Sequence, residues 1–400
     1  MVSYTRVLSG MRPTGRLHIG HYHGAIKSWV NLQYEHECFF MISDLQALTT
    51  EYEQSKTIQN NIYQIVLDWL ACGVDPSQAM IFIQSQVPQQ YELYTLLSMI
   101  TPKSWLERVP SYKDQLELLS HKEIDSFGFL GYPLLHTSGI LLYNAKLVQI
   151  GEDKFAHVEL AREVARRFNY IYGREVGFED KARTAMKKLG NKKAELYKEL
   201  LQNYQQKGDD ASLEKARFLL SDAINLSIGE RERLFAFLEN KSRVILNEPQ
   251  IIVAGNNKII GTDGQKMVKN SNNAIALRDD LDVISKKIKE MPTDPARIRR
   301  DDPGDPQKCP VWQLHQIYSS DSVKSWAKKN CMSAGIGCLE CKAPLIESID
   351  REQMKFKENI KNYNNDLNMI KGILADGAEA ATAIAEQTIA QVKEAMDINY

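Results

Sequence analysis

Four hundred residues, 43% of them apolar and 25% charged, make a chain long enough for two domains and a sizeable buried core. Fifty basic against 51 acidic side chains leave a net charge of −1, which excludes a global positive field for recruiting nucleic acid; any polyanion has to be met by local patches. No apolar run is long enough to cross a bilayer and the first residues lack the apolar stretch of a secretory leader, so a cytoplasmic protein is expected. Its six cysteines then read as reduced thiols, metal ligands or catalytic groups rather than disulfides.

Arg6 to Leu8 is a short strand that runs into a turn carrying Gly10, Pro13, Gly15 and Gly20 together with His18 and His21. Ala25, Ile26, Trp29 and Leu32 then recur at helical spacing. A helix N-terminus offers unpaired N–H groups and the positive end of the macrodipole, so an anion is stabilised there. Gly20 lets backbone approach a ligand, and the flanking imidazoles can donate hydrogen bonds to phosphate oxygens. The plainer alternative is a Gly/Pro-rich loop with two surface histidines.

Cys38 to Ile42 is a continuous apolar run of the kind a buried parallel strand needs. Thr57 to Ala71 is a helix with Ile58, Ile62, Ile65, Val66 and Trp69 on one face, and Ala79 to Ile83 is a third strand. This alternation predicts an α/β fold built on a doubly wound parallel sheet, whose ligands bind at the carboxyl ends of the strands. Cys38 and Cys72 read as core residues.

Farther on, Ile140 to Tyr143 and Lys146 to Ile150 lead into Gly151, Glu152 and Asp153, and a helix from about Phe155 carries His157, Glu159, Arg162 and Arg166. Carboxylates beside glycine after a strand suit a ribose hydroxyl pair; an ordinary acidic helix start is the alternative. Residues 179–247 are lysine-rich and helical throughout, which predicts an inserted pair or trio of exposed helices, either solvated surface or a face toward RNA. Behind a Gly-x-x-Gly turn at 261–264, Lys266 and Lys269 form a cationic loop able to close over a triphosphate.

The segment Pro-Thr-Gly-x-Leu-His-Ile-Gly-His at 13–21, paired with Gly-x-Lys-Met-x-Lys at 264–269, resembles the HIGH and KMSKS signatures of class I aminoacyl-tRNA synthetases. Ser-Gly-Met-Arg-Pro-Thr-Gly at 9–15, Leu-Glu-Arg-Val-Pro-Ser-Tyr-Lys at 106–113, Gly-Glu-Asp at 151–153 and Thr-Asp-Pro-Ala-Arg at 293–297 are similar to the bacterial tryptophanyl branch, over almost the whole chain. The resemblance implies a Rossmann-type catalytic domain at 1–178 and 248–285, the helical insertion at 179–247, and a mainly α-helical anticodon-binding domain at 286–400. It also implies a homodimer.

The implied reaction activates L-tryptophan with ATP and Mg²⁺ to tryptophanyl-AMP and passes it to the 3′-terminal ribose of tRNA(Trp). ATP would be held by Arg12, Pro13, Thr14, Gly20, His21, Gly151, Glu152, Asp153, Ile259, Lys266, Met267, Val268, Lys269 and Asn270. His18, His21, Lys113, Lys266 and Lys269 would carry the chemistry by positioning and charge stabilisation. Tryptophan would lie among Gly10, Gln46, Tyr132, His136, Gly139, Ile140, Val148, Ile150 and Lys154.

Five positions depart from the family pattern: Val268 and Asn270 replace two hydroxyls of the cationic loop, Lys154 replaces a glutamine, Gln46 a pocket histidine, and Gly139 the aspartate that accepts the indole N–H. His136, Ser138, Gln46 or Gln149 could supply that acceptor. A paralogue with altered amino-acid specificity, or one that binds tRNA or nucleotide without aminoacylation, is the alternative.

Cys309, Cys331, Cys338 and Cys341 fall within one short stretch that closes on a C-x-x-C pair. Four thiolates suit tetrahedral zinc or a [4Fe–4S] cluster, and some tryptophanyl enzymes carry the cluster on nearly this spacing; four free thiols are the third option. Arg297, Arg299 and Arg300 either touch tRNA phosphates or pair with Asp301 and Asp302. Trp312, Tyr318 and Trp326 either stack on anticodon bases or pack in the core. Gly377 to Met396 reads as a closing helix.

Overall fold

The computed structural model describes residues 5–118, 126–151, 154–173, 177–239, 244–253, 259–269, 272–361, 363 and 366–400. Five strands form one sheet in the order β3-β2-β1-β4-β5: β1 Arg6–Met11, β2 Glu37–Ile42, β3 Ala79–Ile83, β4 Leu147–Ile150 and β5 Gln250–Val253. Every pairing is parallel. The chain winds outward from β1 through β2 to β3, then crosses to the other side of β1 for β4 and β5. The crevice between the carboxyl ends of β1 and β4 is therefore the topological switch point, where such sheets bind ligands.

Both faces of the sheet are covered, which is why β2 reads as an unbroken apolar run. On one face Val7, Phe40, Ile42 and Ile81 pack under the helix Ser55–Ala71, with Trp29 stacked on Phe40 at 4.5 Å and edge-on to Trp69 at 5.0 Å. On the other, Leu8, Phe39, Met41, Phe82 and Val148 meet the helices Gln89–Ser98, Phe127–Leu142 and Phe155–Tyr172. The run Ile140 to Leu142 thus closes a long helix before β4.

Residues 178–238 form four helices, Phe178–Lys187, Asn191–Lys207, Asp210–Ser221 and Ile228–Leu238, around a core of their own that includes Met186, Tyr197, Leu200, Leu220 and Leu234. The Asn191–Lys207 helix ends on Gly208 in the left-handed region (φ +67°), the conformation that glycine adopts without a Cβ penalty.

The helices that follow β5 do not segregate in the same way. Leu345, Ile349 and Phe356 of the helix Cys338–Ile360 share the core beneath Ser55–Ala71. The last helix, Leu367–Ala395, begins ten residues before the expected Gly377. It lies so close to edge strand β3 that a Cβ on Gly377 would sit 2.1 Å from the Ile81 carbonyl oxygen.

Gly377→Ala and Gly372→Ala test that approach within one helix, because a Cβ at Gly372 would meet nothing within 4 Å. Alanine adds about 1 kcal/mol in an open helix interior, whereas overpacking costs ~1–3 kcal/mol, so urea unfolding should show Gly372→Ala stabilised and Gly377→Ala destabilised. Equal midpoints for the two variants would contradict the close packing.

Candidate active site

The N-terminal turn occupies the switch point. β1 ends at Met11, and His18, extended at φ −132°, precedes a helix that runs Ile19–His21, Tyr22–Ile26 as a π turn, and Lys27–Leu32. The His18 main-chain N–H donates to His21 Nδ1 at 3.2 Å, and the two rings lie 3.8 Å apart. Gly20 has a reason beyond ligand access: a Cβ there would stand 2.9 Å from the His18 ring, which folds back over it. The Nδ1 of His18 is buried without a partner.

The cationic loop returns to this turn directly. Ile260 pairs with Lys266 across a tight reversal containing Gly264 (φ +84°), and Met267 N–H donates to the Ile259 carbonyl at 3.3 Å. Beyond it, His18 pairs with Ala276, and Ile19 N–H donates to the Ile275 carbonyl at 3.0 Å. Lys269 Nζ donates to the Arg12 carbonyl at 2.7 Å. Asn273 braces the loop, its amide nitrogen donating to Asp263 and to the Lys266 carbonyl, each at 3.0 Å.

Several basic groups are crowded into little water here. Burial, with Arg12 adding to it, pushes Lys269 down to about 7. Burial and the Lys269 charge push His18 down to about 3 and hold His21 well below its usual value, so both imidazoles are neutral. Burial also lowers Arg12, which donates to the Thr50 hydroxyl and keeps Nε buried without a partner. A ring of desolvated donors at a helix start is suited to an anion, which would restore the charge that burial suppresses.

A second pocket wall lies on the opposite face of β1. Gly10 pairs in register with Met41, and a Cβ at Gly10 would strike the Met41 carbonyl at 2.3 Å. Val148 and Ile150 of β4 pack with the same face, and the helix Phe127–Leu142 brings Gly139 and Ile140 to it and also carries His136 and Tyr132, the latter packed with Phe129. Tyr132 is buried with its hydroxyl 2.8 Å from Ser111 Oγ, which lies 3.3 Å from His157 Nε2.

The His136 and His157 rings are 5.0 Å apart. Burial, with Lys154 nearby, pushes them down to about 3 and about 2. Gln46 is buried at the start of the helix Asp44–Glu51, beside Asp44, whose Oδ1 accepts from the main-chain N–H of Ser85 at 3.0 Å.

The expected residues are thus gathered from both ends of the chain, with differences. Lys113 is exposed on the helix Pro110–Leu118, and Lys266 is exposed with only its carbonyl engaged by Asn273. Gly151 follows β4, while Glu152, Asp153 and Asn270 lie outside the described residues. Thr50, Gln90, Ser111 and Asn273 belong to the site without having stood out, since they are single polar side chains outside any motif. Gln149 faces away from the second wall, its amide reaching the Ala25 carbonyl at 3.5 Å.

The four clustered cysteines are free and half-buried. Cys341 lies within electrostatic reach of Cys309, Cys331 and Cys338, and Cys331 within reach of Cys309 and Cys338. Arg297 Nη1 stands 4.0 Å from Cys331 Sγ, and His315 Nε2 3.5 Å from Cys341 Sγ. Among the described residues no three His, Cys, Asp or Glu side chains are grouped as ligands for a metal ion. Arg297 instead donates to the carbonyls of Arg300 at 2.7 Å and Ile336 at 2.6 Å.

The family model for class I tRNA synthetases (W and Y) matches residues 3–211 and 231–352. The chain is similar to the tryptophan–tRNA ligase of Ralstonia nicotianae, 54% identical over 395 residues that cover 99% of each chain. It is also similar to that of Thermotoga maritima, 35% identical over 99% of this chain and 100% of the other. A solved tryptophanyl-tRNA synthetase from Campylobacter jejuni, complexed with ADP and tryptophan, superposes with a TM-score of 0.72 at 26% identity, over 98% of this chain and 100% of that one.

Lys269 leaves a mark on stability that pH reveals. Its folded value of about 7 lies below the ordinary 10.5, so between those values the unfolded chain binds more protons and stability rises with pH. Lys269→Met should flatten that rise in denaturant titrations repeated across the window. A slope equal to that of the parent chain would contradict a desolvated Lys269.

Proposed function

The chain belongs to the class I aminoacyl-tRNA synthetases of the tryptophan and tyrosine group, and from that premise we propose that it is a tryptophan–tRNA ligase. The tryptophan carboxylate oxygen attacks the α-phosphorus of ATP, the bond to the β-phosphate oxygen breaks, and pyrophosphate leaves. A hydroxyl of the 3′-terminal ribose of tRNA(Trp) then attacks the acyl carbon and releases AMP. Mg²⁺ arrives with the triphosphate as part of the substrate and neutralises its charge.

The observation that carries this reading is the clasp between the two signatures, Lys269 on the Arg12 carbonyl with His18 paired to Ala276. It supports a triphosphate lying over Arg12 to Thr14 and Gly20, with His18 and His21 donating to its oxygens and Lys269 stabilising the negative charge that grows on departing pyrophosphate. Lys266, exposed on the same loop, can turn toward the phosphates, as can Lys113. Gly151, Ile259, Met267 and Val268 frame the nucleotide, and Glu152, Asp153 and Asn270 are proposed to join them. The amino acid lies against Gly10, Tyr132, His136, Gly139, Ile140, Val148 and Ile150, with Gln46 and Lys154 at its edge.

We further propose that residues 286–400 receive the anticodon and that the enzyme is a homodimer in the cytoplasm. Arg299, exposed in the segment before the cysteines, supports a phosphate contact there. Met99 and Phe127, 70% and 76% exposed, supply apolar surface for a second copy. No described helix is long and apolar enough to cross a membrane. The four cysteines are proposed to hold a [4Fe–4S] cluster, which is wider than a single ion; their mutual electrostatic reach and the adjacent Arg297 support this, because a guanidinium offsets cluster charge. Such a group would act on the helices around it and takes no part in the activation step.

Tryptophan-dependent exchange of labelled pyrophosphate into ATP tests the ligase reading; silence with tryptophan and exchange with another amino acid would redirect it. Lys269→Ala should lower the activation rate by about 10²–10³-fold with tryptophan affinity little changed, as expected for a group that acts in the transition state. Equal losses in rate and affinity would count against that role. For the cysteines, anaerobically purified protein should show visible charge-transfer absorbance and about four irons per chain, lost together in Cys338→Ser; protein free of iron would remove the cluster from the account.

A further inference from the structure

Tryptophan's side chain carries one polar group, the indole N–H, and it can only donate. A pocket that selects it must present a buried acceptor whose own bonds are otherwise unmade. Gln84, Gln89, Gln90 and Gln149 all hold a buried, unpaired Oε1 near the carboxyl ends of the strands. Gln149 is turned to the other face of the sheet and Gln89 is only half-buried.

Gln90 is different in three respects. It is completely buried, on the helix Gln89–Ser98 that packs against Phe127–Leu142. Its amide orientation is fixed by chemistry, since Nε2 donates to the Leu135 carbonyl at 3.2 Å and to Ser138 Oγ at 2.6 Å, and a carbonyl can only accept. That leaves Oε1 as the free end. It stands 3.5 Å from where a Cβ of Gly139 would be, beside the Met41 methyl at 3.2 Å from the same point, on the wall that Gly10 and Val148 share.

We infer that Gln90 is a specificity-determining residue whose Oε1 accepts the indole N–H, with Gly139 small so that the ring can reach it. Ser138 and the Leu135 carbonyl are positioning groups that hold the amide in this sense. The inference rests on tryptophan being the substrate. It places the acceptor on a helix different from the one that carries Gly139.

The test uses the whole enzyme in pyrophosphate exchange with two substrates, L-tryptophan and L-3-benzothienylalanine, in which sulfur replaces the indole N–H. The unsubstituted enzyme should prefer tryptophan by about 10²-fold or more in kcat/KM. Gln90→Met should bring the two substrates to within about tenfold, chiefly through a raised tryptophan KM and with the ATP KM unchanged.

Equal use of both substrates by the unsubstituted enzyme would overturn the inference, as would full preference in Gln90→Met. Loss of preference in Gln84→Met with retention in Gln90→Met would overturn it too, and would move the acceptor to the end of β3. Should Gln90→Met fail to fold, Gln90→Asn decides, because it draws the carbonyl back by one methylene: collapsed preference supports the assignment and intact preference overturns it. No exchange with tryptophan in the unsubstituted enzyme is a distinct result, which removes the ligase reading itself.

Discussion

The hydrogen bond from Lys269 to the Arg12 carbonyl is the contact on which the site depends, because it joins groups 257 residues apart. Closing a flexible loop of that length would be slow and would leave the ends poorly defined, although its free-energy cost grows only with the logarithm of length. The fold removes the difficulty in stages. β4 and β5 are hydrogen-bonded neighbours, so the chain leaving the sheet at Ile150 re-enters it at Gln250 in fixed register. Between them the helices of 178–238 bury their own apolar side chains and demand little of the rest. What remains is a short stretch from β5 to the cationic loop, pinned by the pairing of His18 with Ala276.

The charges around that contact are in an unfavourable state that a triphosphate would relieve. Desolvated cations cost free energy, and the chain answers by keeping His18 and His21 neutral and drawing Lys269 down toward 7. Lys269 meets a main-chain carbonyl there, a weaker partner than a phosphate oxygen. On the proposed reading the donors stand at the helix start before the ligand arrives, which is the condition for electrostatic stabilisation of a transition state.

How much of this could be read from the chain depends on how local the information is. The turn after β1 was legible because Gly10, His18, Gly20 and His21 lie together in sequence, and the helix Ser55–Ala71 because its apolar residues repeat at 3.6. The helical character of residues 178–238 was legible in their lysine-rich pattern, though four helices stand where two or three were expected. Gln90, Ser111, Thr50 and Asn273 were not, since each acquires meaning only from a partner far along the chain, as Gln90 does from Leu135 and Ser138. The steric reason for Gly20, the clash of a Cβ with the His18 ring, was not legible because it needs coordinates. The closing helices were expected as a separate unit only from the family resemblance, and the core beneath Ser55–Ala71 runs on into Leu345 and Phe356.

That shared core changes how the two ends of the molecule relate. His23, in the π turn of the helix that begins at His18, is buried with Nε2 3.0 Å from the Tyr318 hydroxyl and 3.1 Å from Glu352 Oε2, and Tyr22 meets Phe356 edge-on at 4.7 Å. A π turn is tolerated where a side chain must be aimed away from the regular helical register, and here it coincides with His23. If the helix Cys338–Ile360 shifted without the N-terminal helix, the buried His23 imidazole would lose Glu352 while keeping the Tyr318 hydroxyl, at a cost of about 1.5–3 kcal/mol for a hydrogen bond to a charged group. The two helices are therefore tied by the His23–Glu352 and Tyr22–Phe356 contacts, which join the N-terminal turn to the helix that begins at Cys338.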